Sequence, residues 1–217
     1  MKRFFSLENP VVRVLIKLFD CIALTVFWAI SSLPVITVGA ASTALYATIY
    51  HHVRLGNDYL WSTYLTAFRS NFKRSTLSWL PLMFMQIFLV FDVLWLRALI
   101  KNGEPLGPVY GIMLVLLCVS FVWGIFLFAY CARFNGRVRD MIRISFYLMM
   151  AHPLRTIGIL LIVLTAVGIM LMVPGLAIIL PSAAVWAASY PVEQIFLKHM
   201  SPEDAARTVE EQQNPDD

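Results

Sequence analysis

Apolar residues dominate the chain in long runs, and the polar positions between them mark where each run ends. The first uncharged run is 21–50. As one straight helix its 30 residues would measure about 45 Å, well beyond the ~30 Å of bilayer hydrocarbon. Ser31-Ser32-Leu33-Pro34 interrupts it, because proline lacks an N–H and pushes its predecessor out of the helical region. The pattern therefore predicts a first span at 12–33 and a second at 36–52. The second is short and rich in small residues, so a re-entrant hairpin arm is its alternative.

Residues 57–74 differ. Leu60, Tyr64, Phe68 and Phe72 recur every four positions while Arg69, Ser70, Lys73 and Arg74 fall elsewhere, the pattern of an amphipathic helix on a membrane surface. A third span follows at 76–97, broken only by Gln86 and Asp92. A polar loop at 97–108 leads to a fourth, uncharged span at 109–132. A second amphipathic stretch, 133–150, carries Arg133, Arg137, Arg139, Asp140 and Arg143. The uncharged stretch 156–192 is too long for one helix and turns at Pro174-Gly175, which gives a fifth span at 155–173 and a sixth at 176–193. The polar tail beyond Pro202 has room for one short helix at 202–212.

Composition agrees. The chain has 217 residues, 59% hydrophobic and 14% charged, with a mean hydropathy of +0.74. That excludes soluble globular, disordered and collagenous classes, since one soluble core could not hide so much apolar surface. The expected fold is all-α: a polytopic transmembrane bundle of about six spans with two cytoplasmic amphipathic helices, one domain over 1–200 and an acidic tail over 201–217.

Charge orients this map. With the N-terminus inside, fourteen basic residues fall on inside segments and two, Arg97 and Lys101, on outside loops. Both ends are then cytoplasmic. Trp95 and Tyr110 fall at outer ends, and Tyr50, Trp79, Tyr130 and Tyr190 at inner ones. A cleavable signal peptide ending near Val38-Gly39-Ala40 would need 40 residues with Lys17 and Asp20 in its apolar part, against a usual 15–30. Seven of the 13 acids, Glu193 among them, lie after residue 192, so the C-terminal end reads as acidic and solvated.

Candidate chemistry is sparse. Cys21, Cys118 and Cys131 sit in apolar runs without a CxxC spacing and read as buried thiols. The four histidines match no metal motif, and no Walker, nucleophile-elbow or dinucleotide motif is present. No catalytic residue, metal or cofactor is expected. Lys17 and Asp20 share a helix face inside the first span. Such charges are functional candidates by default, but a local ion pair with Lys17 snorkelling is the favoured reading. Asp92 is read as pairing across helices or reaching the interface, and Gln86 as bonding between helices. Gly39–Thr43, Ala40–Ala44, Ala183–Ala187 and Ala184–Ala188 give small-xxx-small spacing, for packing between the second and sixth spans or for docking on another protein. Arg69, Lys73, Arg74, Arg137, Arg139 and Arg143 are candidate contacts for anionic lipid or an acidic partner; nucleic acid is not expected.

Phe4-Phe5-Ser6, Ser32-Leu33-Pro34-Val35-Ile36-Thr37-Val38-Gly39-Ala40, Ala44-Leu45-Tyr46 and Ala67-Phe68-Arg69-Ser70-Asn71-Phe72-Lys73-Arg74-Ser75-Thr76 resemble, in order and spacing, the YesL family of bacterial membrane proteins. The resemblance covers the first 80 residues. It implies a role beside carbohydrate ABC importers and carries no catalytic residues. On it, Ser32 and Pro34 read as a turn between spans, Gly39 and Ala40 as close packing, and Phe68 to Arg74 as an anchored surface helix. The expected function is a non-catalytic accessory subunit that contacts the permease and its ATPase. A membrane sensor of sugar uptake and an independent small-solute transporter are the alternatives, and a homo-oligomer is compatible with each.

Overall fold

The computed structural model describes residues 10–54, 59–102 and 104–199. The acidic tail, the short helix expected within it and the Phe4-Phe5-Ser6 motif lie outside the described residues. The described residues form helices and turns without a strand. In chain order they are α1 (Pro10–Ser31), α2 (Val38–Thr48), α3 (Leu60–Lys101), α4 (Gly107–Arg133), α5 (Val138–Ala151), α6 (Pro153–Met172) and α7 (Leu180–His199). A 3-10 turn, Val35–Thr37, precedes α2, and a π-helical turn, Ile49–Arg54, extends it. A second 3-10 turn, Pro174–Ile178, joins α6 to α7 at the expected proline.

Three helices, α3, α4 and α6, are long and apolar enough to cross a membrane. They wear the outward apolar surface that a lipid neighbour requires, as at Phe84, Ile87, Phe88 and Phe91 on α3, Ile112 and Val115 on α4, and Leu161 and Leu164 on α6. Six crossings do not follow from these lengths. At 1.5 Å per residue, the 11 residues of α2 reach only about 17 Å, roughly half a bilayer core.

What α2 does instead is fill the middle of the bundle. Nine of its residues are buried, from Gly39 to Thr48. Its small side chains allow this close approach. A Cβ on Gly39 would collide with Trp79 Cβ and lie 2.9 Å from the Ser75 carbonyl oxygen, so α2 meets α3 backbone to backbone at this point. Thr43 and Thr48 return their hydroxyls to the carbonyls of Gly39 and Ala44, so these two buried side chains are satisfied within the helix.

The expected surface helix at 57–74 and third span at 76–97 are one continuous helix of 42 residues. Ser75 and Thr76 are not helix breakers, and Pro81 is accommodated within α3. The four-residue stripe at its start is also not a membrane-surface face. Leu60, Tyr64 and Phe68 pack on Leu24, Ala44, Leu45 and Ile49 of α1, α2 and the π-helical turn, and Tyr64 meets Ser31 across a 2.5 Å hydroxyl contact. An amphipathic stripe reads the same in sequence whether it meets lipid or protein. Only Phe72, at its end, is exposed.

The second amphipathic helix forms as α5, with its buried face on Met141, Ser145, Leu148 and Met149. Phe146 is exposed, though its ring still touches Trp123.

Candidate functional site

One charged pair lies inside the protein. Arg133 is the last residue of α4 and Glu193 sits in α7. Their side chains are 6% and 3% exposed, with Arg133 Nε 3.6 Å from Glu193 Oε2. Tyr46, on α2, donates its hydroxyl to Glu193 Oε1 at 2.9 Å. Tyr50, in the π-helical turn, lies under the guanidinium, 3.9 Å from ring centroid to Arg133 Cζ. A π-helical turn holds an extra residue per turn, the kind of irregularity that re-aims side chains at functional sites. Here it places Tyr50 under Arg133 while Tyr46 faces Glu193. Tyr130, Phe134 and Phe196 stack edge-on beside the pair and brace the ends of α4 and α7.

Desolvating two charges costs several kcal/mol each, roughly, unless they meet each other and further donors or aromatic faces. The carboxylate has an arginine and a phenol, and the guanidinium has the carboxylate and an aromatic face worth up to about 2 kcal/mol when desolvated. This arrangement ties four elements, α2, its π-helical extension, α4 and α7, at one point.

Glu193 therefore does not belong to a solvated acidic end. It is flanked by buried Val192, Ile195 and Phe196. That apolar context was visible in sequence, whereas its partner 60 positions earlier was not. Arg133 entered the sequence reading only as one of many cytoplasmic charges.

Beside this pair lies a cavity of about 370 Å³ among α1, α2, α3, α4, α6 and α7. Tyr46 belongs to both, since its ring lines the cavity and its hydroxyl holds Glu193.

The polar residues singled out in sequence do not converge. Lys17 Nζ lies 5.5 Å over the Trp186 ring. Asp20 is half-buried one turn on, and Asp92 half-buried far along α3. Gln86 does bond between helices, from Nε2 to the Ser120 carbonyl at 3.3 Å. Among the small residues, Gly39 and Ala40 are buried as expected, Ser32 is half-buried, and Pro34 is exposed. On α7, Ala188 is buried, Ala183 and Ala184 are half-buried, and Ala187 is exposed; Ala184 lines the cavity.

The basic residues gather at one end. Arg74 hydrogen-bonds Asn71 on its own helix and Asn135 in the α4–α5 connection. That joins the α3 charges to those of α5, while Arg69, Lys73, Arg137, Arg139 and Arg143 all remain exposed. His152, between α5 and α6, and His199 of α7 meet edge to face, with ring centroids 5.0 Å apart. Among the described residues no group of three His, Cys, Asp or Glu side chains is placed to hold a metal.

Residues 21–93 match the family model described as a protein of unknown function, DUF624, the name that YesL-type proteins carry. The matched third of the chain holds α2 with Tyr46, the π-helical turn with Tyr50 and most of α3, but neither Arg133 nor Glu193. No curated protein matches the chain, and no solved structure does.

Proposed function

We propose that this protein is a non-catalytic integral membrane subunit that packs beside the permease of a carbohydrate ABC importer and steadies or gates it. In this reading it lies in the bacterial plasma membrane with both ends cytoplasmic. One observation carries it: five basic side chains, Arg69, Lys73, Arg137, Arg139 and Arg143, stay exposed on one end of the bundle although the fold uses neighbouring Arg74 and Arg133 internally. A surface of that sign suits an acidic cytoplasmic partner such as an importer's ATPase, and its charges also favour anionic headgroups by roughly 1 kcal/mol each. The carbohydrate assignment rests on the YesL resemblance.

The test is purification of the tagged full chain from native membranes in mild detergent. Permease and ATPase chains at stoichiometric levels support the proposal. Isolation alone, even after gentle cross-linking, overturns it, and solute flux in liposomes by the lone protein would establish the transporter reading instead.

A further inference from the structure

We infer that the cavity beside Tyr46 is a binding site for the alkyl chain of a membrane lipid, entered sideways between α4 and α6. Its walls carry the argument. At the back, Leu45 and Tyr46 are each 2% exposed. Toward α4 and α6 the lining changes: Phe121 is 52% exposed, Val167 48% and Met170 42%. The cavity is thus a lateral cleft with a mouth on two helices that are long and apolar enough to cross a membrane. What stands outside such a mouth is hydrocarbon.

The indole and amide nitrogens and the phenol hydroxyl around the cleft are engaged within the protein. Trp28 Nε1 donates to Ser42 Oγ at 3.1 Å, and Trp79 Nε1 to the Val35 carbonyl at 3.1 Å. Gln86 Nε2 donates to the Ser120 carbonyl, and the Tyr46 hydroxyl to Glu193. What faces the space is the carbon surface of these residues and of Gly124, Ala166 and Ala184. A sugar there would leave its hydroxyls without partners, which apolar walls penalise heavily. An alkyl chain loses nothing, and the volume falls within the range of small-molecule sites. The inference goes beyond the proposed function and does not depend on it.

Trp79 provides the readout, since it lines the cavity yet is buried from outside. The full chain is reconstituted into vesicles of phosphatidylcholine brominated at mid-chain, with unbrominated vesicles as reference. The share of tryptophan quenching due to Trp79 is the difference between wild type and Trp79→Phe. We expect a clear share in wild type and its loss in Ala184→Phe, which fills the cleft. Ala166→Phe serves the same purpose from α6 if Ala184→Phe does not fold. Absence of any Trp79 share in wild type means that protein closes the cleft, and overturns the inference. A share that survives in a folded, cleft-filling variant overturns it equally.

Discussion

Gly39 is the position where a single added carbon has the least room. The atoms it would strike belong to the α3 backbone and the root of Trp79, neither of which can swing aside. Gly39→Val is expected to destabilise the protein by about 1–3 kcal/mol, the usual cost of overpacking, read as a lower thermal midpoint in detergent. The buried pair behaves differently. Glu193→Leu leaves Arg133 charged and without its carboxylate, at a cost of about 3–5 kcal/mol. Arg133→Leu combined with Glu193→Leu removes both charges and is expected to cost less than Glu193→Leu alone, because no buried charge remains. A double mutant as unstable as the sum of the singles would mean that the two side chains act independently. His152 gives a pH signature. Partial burial, then the charges of His199, Arg155 and Lys198, hold its pKa below the ordinary 6.5, and its Nε2 is buried without a partner. The folded state therefore resists protonation that the unfolded chain accepts. Stability from this group is present above the ordinary pKa and declines as pH falls through about 6.5. Thermal midpoints at about pH 7.5 and 5.5 should fall less in His152→Asn than in wild type.

At the scale of elements, the basic end carries the next expectation. Arg137, which caps α5, and Arg139 and Arg143 on it are exposed and stand outside the apolar cluster that holds α5 to α4. Replacing all three with glutamate should leave the melting midpoint within a few tenths of a kcal/mol equivalent, as exposed sites usually do. It should nevertheless remove any co-purifying acidic partner. Unchanged co-purification would move the interface elsewhere. The helices themselves were largely legible, because membrane spans are long and turns such as Pro174 and His152-Pro153 are chemically explicit. α4 and α6 fall within two residues of the expected bounds. The continuity of α3 was not legible, since a polar patch such as Ser75-Thr76 is equally at home inside a helix. The buried pair was not legible either: Arg133 and Glu193 are ordinary charges in sequence, and only the helix packing brings them together. Tyr46 was legible as part of the YesL-like stretch but not as the residue that joins pair and cleft.

For the molecule as a whole, the question is whether the α1–α2 turn reaches the outer water. The charge count alone does not decide it. A hairpin that enters from the cytoplasm and returns leaves the later basic clusters on the same side as two full crossings would. Packing does discriminate. Val35 accepts from Trp79, which lies 22 residues, or about 33 Å, from the Lys101 end of α3. The turn therefore sits against the middle of α3 rather than beside its outer end. Its side chains Leu33, Val35 and Ile36 point outward and are apolar. Its backbone is internally engaged: Ser32 N–H bonds Trp28, Leu33 N–H bonds Ile30, and Thr37 N–H bonds Pro34, while Thr37 Oγ1 reaches the Ser31 carbonyl at 2.6 Å. Irregular backbone survives at membrane depth only when its polar groups are satisfied in this way. The expected topology is thus a hairpin of α1 and α2 whose tip stays short of the outer water, beside the candidate crossings α3, α4 and α6 and an expected return by α7. Single cysteines on a background lacking Cys21, Cys118 and Cys131 test it with an impermeant maleimide. Asn102→Cys should label from outside and Asn135→Cys only from the cytoplasm, and Leu33→Cys should not label from outside. Labelling of Leu33→Cys from outside would instead establish that α1 and α2 each cross, and with them six spans.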